Sequence, residues 1–238
     1  MSPVWVLTKR ELSSYFNSLT GYIILAIFLI LAGLFTWLVG SDVFFRQQAD
    51  LAVFFFWAQW ILLLVIPAIT MRQIAEEKRT GTIELLLTKN LSSRQLVAGK
   101  FLASFLMVCI TLAFTLPYYY TITQLGNADH GALLGGYFGL LLLSAAYTAI
   151  GIFASSITNN QIIAFLLTLF ICVVFQLLLG FLAQFAGSGF MGDLLSTLSM
   201  SEHYESISRG VLDTKDLIYF GSVILLFLFM AELVISKR

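Results

Sequence analysis

Charge is the scarcest thing in this sequence. Of its 238 residues only 11% are Asp, Glu, Lys or Arg, where soluble domains carry about 25%. Too little polar surface is available to cover a soluble globule of this length. Net charge is also missing: thirteen Lys+Arg face thirteen Asp+Glu, which removes the basic footprint of a nucleic-acid binder. Cysteine is nearly absent, and Cys109 and Cys172 both lie in apolar runs. A disulfide framework is not the natural reading of such positions; small buried hydrophobes are. No strand-like alternation, low-complexity tract or internal repeat is visible. A G-x-x-x-x-G-K-[ST] phosphate loop is missing too, so the chain carries no nucleotide site of that kind.

What is abundant is apolar sequence: 59% of residues are hydrophobic, against about 45–50% in soluble domains. The few charges cut it into runs long enough to cross a bilayer, about 20 residues each. Spans are expected near residues 21–39, 51–71, 101–122, 133–154, 162–182 and 217–235. The uncharged run between His130 and Gly192 is too long for one crossing and breaks at the polar turn Ser155–Gln161. Only segments that satisfy their own backbone cross hydrocarbon, so the expected fold is an all-α polytopic membrane protein with six transmembrane helices in one domain, 1–238. Ten lysines and arginines fall on the side of the termini, six of them between Arg72 and Lys100. The opposite side has three: Arg46, Arg209 and Lys215. The positive-inside rule then puts both termini in the cytoplasm.

Three segments outside the spans stand out. The first surrounds Trp5, Lys9, Arg10, Leu12, Tyr15 and Phe16. Its aromatic residues fit one helical face and its basic residues another, as in a helix lying in the membrane interface; the plainer alternative is a positive flank that only fixes topology. The second is the loop Arg72–Lys100. A charged helix with an i,i+3 pair between Glu76 and Arg79 is interrupted at Thr80-Gly81-Thr82, and an apolar helical piece, Ile83–Lys89, follows. Ser92 and Gln95 then make a capping box for the third span. A solvated connector would not need an apolar helix at its centre, so the loop reads as a docking surface for a cytoplasmic partner. The third is the segment 183–216, whose mixed polarity fits short re-entrant helices before the last span, with Asp213 as that span's cap and Asp216 in its first turn; the plainer alternative is a surface loop of no special role. His203 has no second His, Cys or carboxylate cluster at metal-ligand spacing.

The spans themselves are chemically quiet. Gln59, Gln176 and Gln184 are the notable amides, Pro67 and Pro117 can kink their helices, and Glu232 can reach towards Lys237 and Arg238. No ionisable group falls at mid-bilayer, which argues against an ion-coupled carrier. No repeated carboxylate motif suggests a membrane enzyme.

The stretch Ala75–Thr88, with Ser92, Arg94, Gly99 and Lys100 after it, resembles the coupling region of ABC-2-type ABC transporter permeases: acidic, basic, Gly-Thr, one residue, Glu-Leu-Leu, then Gly-Lys. The segment His203–Asp213 looks like the gliding-motility permease subgroup of Bacteroidetes. The resemblance implies an N-terminal elbow helix (Trp5, Lys9, Arg10, Tyr15, Phe16) and a cytoplasmic coupling helix between the second and third spans. Glu76, Glu77, Lys78, Arg79, Gly81, Thr82, Glu84, Leu85, Leu86 and Arg94 would form the ATPase-coupling interface. It also implies a bacterial cytoplasmic (inner) membrane location and a separate cytoplasmic ABC ATPase that binds ATP and Mg2+, with no cofactor in this chain. A second permease copy or homologous membrane subunit is expected, and an auxiliary gliding-type subunit for the subgroup. The expected function is export or mechanical work on periplasmic partners; the alternative is a membrane scaffold that transports nothing.

Overall fold

A computed structural model describes residues 2–39, 48–83, 91–126, 128–187 and 189–237. All regular structure among them is helical. Six helices are long and apolar enough to cross a membrane: Leu19–Trp37, Ala52–Thr80, Ser93–Leu125, His130–Ile157, Gln161–Ala186 and Thr214–Ser236. Ahead of them lies α1 (Pro3–Asn17), started by Pro3, whose missing N–H costs nothing in a first turn. The first span is α2 (Leu19–Trp37). The second is α3 (Ala52–Thr70), which runs through Pro67. The charged helix α4 (Ala75–Thr80) does not simply continue α3, as the sequence suggested, but follows a turn at residues 71–74.

The third span is α5 (Ser93–Ala113) and α6 (Leu116–Leu125). The expected capping box is present: the Ser92 hydroxyl accepts from Gln95 N, and Gln95 accepts from Ser92 N. The helix breaks just before Pro117, which cannot donate into the ladder; the Tyr137 hydroxyl donates to the Thr115 carbonyl there at 2.9 Å. The fourth span, α7 (His130–Ile157), begins on Asp129, which accepts from Gly131 N and Ala132 N. The fifth is α8 (Gln161–Val173), one wide π-turn (Val174–Leu178) and α9 (Leu179–Ala186). Two short helices follow, α10 (Phe190–Leu198) and α11 (Met200–Ser208). The last span, α12 (Thr214–Ser236), is capped by Asp213 as the sequence indicated.

The bundle is built around α7, which packs against α3, α5, α8, α11 and α12. In its most apolar stretch 83% of residues are buried, against 22–28% for the first, fifth and sixth spans. Those three form the perimeter and present Ile23, Ile27, Phe170 and Leu225 outward, as lipid-facing sides must. Small residues make the central position of α7 feasible, because they let helix axes approach closely. At Gly151 a Cβ would sit 2.1 Å from Thr70 Oγ1 and 2.7 Å from Thr70 Cβ, and Thr70 is itself bonded to the Ile66 carbonyl at 2.9 Å. Gly151→Ala is therefore expected to cost about 1–3 kcal/mol by overpacking, a fall in Tm of several degrees. An unchanged thermal melt of the purified variant would contradict this close approach.

With six crossings, α1, α4, the start of α5 and the end of α12 share one end, termed basal; α10 and α11 lie at the opposite, distal end.

Candidate functional site

The basal end concentrates the charge that the spans lack. Lys100 lies two turns into α5 and is buried, with its side chain 1% exposed; its Nζ stands 2.7 Å from Glu77 Oε1 on α4 and 3.7 Å from Glu11 Oε1 on α1. Arg10 closes the cluster, 2.6 Å from Glu11 Oε1 and 3.8 Å from Glu77 Oε1. A buried ammonium is tolerated only when paired, so these four groups tie three helices to one point. Glu77 Oε2 has no hydrogen-bond partner among the described residues. A polar cavity of about 320 Å³ adjoins the cluster, lined by Glu11, Tyr15, Gln73, Glu77 and Lys100 among others.

The sequence preceding Lys100 explains why α1 can reach it. Gly99 offers no side chain, so Leu7 of α1 sits where a Cβ would be, 2.7 Å from that position. The Thr8 hydroxyl donates to the Gly99 carbonyl at 3.2 Å. About two turns further along α1, the Tyr15 hydroxyl donates to the Ile69 carbonyl at 2.9 Å and accepts from the Gln73 amide. Burial pushes the Tyr15 hydroxyl up to about 12, so it remains a donor at neutral pH.

A second attachment holds α4 to the fourth span. Ser155 Oγ accepts from both Ile74 N and Ala75 N at 3.0 Å and donates to the Met71 carbonyl at 3.2 Å. It caps the first turn of α4 from across the bundle, where Ile74 at the N-cap position provides no side-chain cap. Lys78 is buried and donates to the Ser156 carbonyl. Gly81 then ends α4 with φ of 71°, a left-handed conformation that suits glycine.

The residues singled out in the sequence divide accordingly. Glu77 faces into the bundle, and Lys78 points inward as well, so neither stands on an outer rim. Arg79 is exposed and Glu76 half-buried, and they stand 3.7 Å apart, as their spacing predicted. Thr82 is exposed and Ile83 buried; Glu84, Leu85 and Leu86 lie outside the described residues. Arg94 is exposed and pairs with Glu232 on α12 at 3.2 Å, so Glu232 turns to Arg94, where the sequence suggested Lys237 and Arg238. In α1, Trp5, Lys9 and Arg10 are exposed, and Phe16 packs edge-on against Tyr22 at 6.0 Å. Tyr15 departs from the expected apolar outer face, because its hydroxyl finds acceptors and donors inside the bundle.

Sequence reasoning missed three pairings. Lys100 opens a long uncharged run, and a cation at that position has to find a carboxylate; that was the available signal. Gln176 donates to Gln59 Oε1 at 2.8 Å between the fifth and second spans; both amides were noted, but nothing in the sequence joins them. At the distal end His203 Nδ1 is 2.7 Å from Asp216 Oδ1, and its Nε2 is 3.0 Å from the Thr197 carbonyl. The ring thus bridges α12 and the end of α10 through its two nitrogens. The ring also stacks on Tyr219 at 4.0 Å. Among the described residues no group of three or more His, Cys, Asp and Glu is placed to hold a metal ion.

No curated protein matches the sequence. The family described as ABC-2 family transporter protein does, over residues 5–236. Six membrane-crossing helices and a match over nearly the whole length agree, and the chain belongs to the ABC-2 transporter family of membrane proteins.

Proposed function

We propose that this chain is the membrane-spanning permease subunit of an ATP-binding-cassette transporter, worked by a separate cytoplasmic ATPase that docks on residues 81–88. The basal end is the cytoplasmic one, by the excess of lysine and arginine there, and the membrane is a bacterial inner membrane. ATP and Mg2+ belong to the ATPase, since this chain has no phosphate loop. Leu85 and Leu86 fill an apolar cleft on the ATPase, with Glu76, Arg79 and Glu84 around it. Helix α1 is the elbow at the interface. A second copy, or a homologous membrane subunit, completes the pathway. The segment His203–Asp213 favours the gliding-type subgroup, in which an auxiliary subunit takes part and ATP hydrolysis does work on periplasmic partners.

The observation that carries this reading is the double attachment of α4. Glu77 is paired to Lys100 on the third span, and Ser155 and Ser156 of the fourth span hold Met71, Ile74, Ala75 and Lys78. A pull on the loop beyond Gly81 is delivered to the second, third and fourth spans together. A rigid, discretely packed element of this kind is what coupling between distant sites requires.

The test is stimulated ATP hydrolysis in nanodiscs holding this chain and its ATPase. Leu86→Asp is expected to cut stimulation about tenfold or more by placing a charge in an apolar anchor pocket, and Glu84→Lys to lower it by reversing a charge beside that pocket, with the thermal melt of the membrane subunit unchanged. Wild-type stimulation in both variants would refute the docking assignment; a stable complex that never stimulates hydrolysis would leave the scaffold.

A further inference from the structure

The polar cavity beside the Lys100 cluster has no part in the coupling described above. It measures about 320 Å³, within the size range of small-molecule sites, and lies where the first span begins at Leu19 and the second ends at Thr70. Just outside two apolar runs is the depth of phospholipid headgroups. Ser14 and Ser18, which line it, are exposed, and so are Leu19 and Ile23 on the first span. A headgroup can enter there while its chains lie along α2.

Two acceptors in the lining are unsatisfied. Gln73 is 5% exposed. Its amide nitrogen donates to the Tyr15 hydroxyl, whose own hydrogen goes to the Ile69 carbonyl. That fixes the nitrogen towards Tyr15 and leaves Gln73 Oε1 without a partner among the described residues. Glu77 Oε2 is unpartnered too, because Lys100 and Arg10 both approach Oε1. Buried acceptors of this kind cost free energy until a donor reaches them. Arg72, beside Gln73 in the chain, has the opposite need. It lines the same cavity, is exposed, and makes no hydrogen bond or ion pair among the described residues. The other charges are engaged: Lys100 with Glu77 and Glu11, and Glu76 with Arg79.

We propose that this cavity binds an ammonium–phosphate zwitterion, the headgroup chemistry of phosphatidylethanolamine. Its N–H donors reach Gln73 Oε1 and Glu77 Oε2, and its phosphate faces Arg72, with which it forms a charge-assisted contact. A simple anion would meet the two unsatisfied acceptors, and a simple cation would meet the Arg72 guanidinium, so a ligand of one sign fits half of the site. A quaternary ammonium has no hydrogen to donate, so a choline headgroup matches the phosphate contact alone. The same zwitterion occurs on membrane lipids and on soluble phosphodiesters such as glycerophosphoethanolamine. Nothing in the site depends on ATPase docking.

The experiment is native mass spectrometry of the full-length protein in detergent, titrated with dioleoylphosphatidylethanolamine, dioleoylphosphatidylcholine or dioleoylphosphatidylglycerol. The ethanolamine lipid is expected to bind about tenfold more tightly than either of the others, the effect of one charge-assisted hydrogen bond. Gln73→Met removes the buried acceptor at similar volume, while Tyr15 keeps its bond to Ile69. Ser14→Trp fills the cavity from an exposed position. Each is expected to bind the ethanolamine and choline lipids equally, a loss of selectivity that a merely structural role would not produce. Arg72→Gln is expected to weaken both lipids about fivefold and leave their ratio unchanged, since the phosphate is common to them. Glycerophosphoethanolamine that displaces the lipid at the lipid's own concentration identifies a soluble zwitterion as occupant, and failure to displace identifies a membrane lipid; either agrees with the assignment. Equal binding of the ethanolamine and choline lipids by the parent, a preference that survives Gln73→Met or Ser14→Trp, or unchanged affinity in Arg72→Gln would each overturn it.

Discussion

Lys100→Met is expected to destabilise the folded protein by about 3–5 kcal/mol, the usual cost of stranding one member of a buried ion pair. The lost partner leaves Glu77 facing Glu11 with no lysine between them. Arg10 does not compensate fully, because its guanidinium already sits 2.6 Å from Glu11 and only 3.8 Å from Glu77. Replacing the pair with apolar groups is different: Lys100→Met with Glu77→Leu removes both charges and fills similar volume, a change that is often neutral in stability. The double variant is therefore expected to melt close to the parent. If the pair also transmits motion from the loop, the double variant will remain folded and bind the ATPase but lose stimulation of hydrolysis. A single variant that melts within about 0.5 kcal/mol of the parent, as an ordinary surface change does, would show that Lys100 is not a buried anchor.

The second large effect is expected at His203. His203→Leu leaves Asp216 buried, its side chain 1% exposed, with Oδ2 already without a partner among the described residues. An uncompensated carboxylate there costs about 3–5 kcal/mol, concentrated in α10, α11 and the start of α12. Backbone amides in 197–208 are expected to exchange about a hundredfold faster, the rate change that about 3 kcal/mol of local opening energy produces. The basal amides of α4 and α5 should exchange as before. His203→Leu combined with Asp216→Leu should recover most of the protection. Equal exchange in the single variant would mean that Tyr219, which donates to the Leu198 carbonyl at 2.6 Å, secures the distal helices without the histidine.

Much of the fold was legible because the bilayer imposes lengths and the charges mark their ends. All six crossings, the Ser92 capping box, the Asp213 cap and the stop at Gly81 follow from short-range chemistry that a sequence displays directly. Boundaries shifted where tertiary contacts extend a helix past its apolar run: α7 starts on Asp129 and continues to Ile157 because Ser155 and Ser156 are occupied with α4. The site was legible only in its local part. The Glu76–Arg79 spacing is visible along one helix, whereas the pairing of Lys100 with Glu77 depends on how α1, α4 and α5 converge. Lys78 shows the limit plainly. Among four consecutive charges its type is no guide, and only the position of the Ser156 carbonyl makes it an inward-facing residue.

The wide turn in the fifth span sets the alignment of that whole helix. Its inward side is made by Ala164, Thr168, Cys172, Gln176 and Gly180, each four positions after the last. In a regular α-helix every such step gains about 40°, so five residues would wind about 160° around the axis. The additional residue in Val174–Leu178 takes back about one residue's rotation. The drift of the inward line along the bundle is thereby cut to about 60°, and Gln176 meets Gln59 instead of pointing into hydrocarbon. Deleting one residue from this turn would swing Leu179–Ala186 by about 100°, turning Gly180 out and a bulky neighbour in against Ser199.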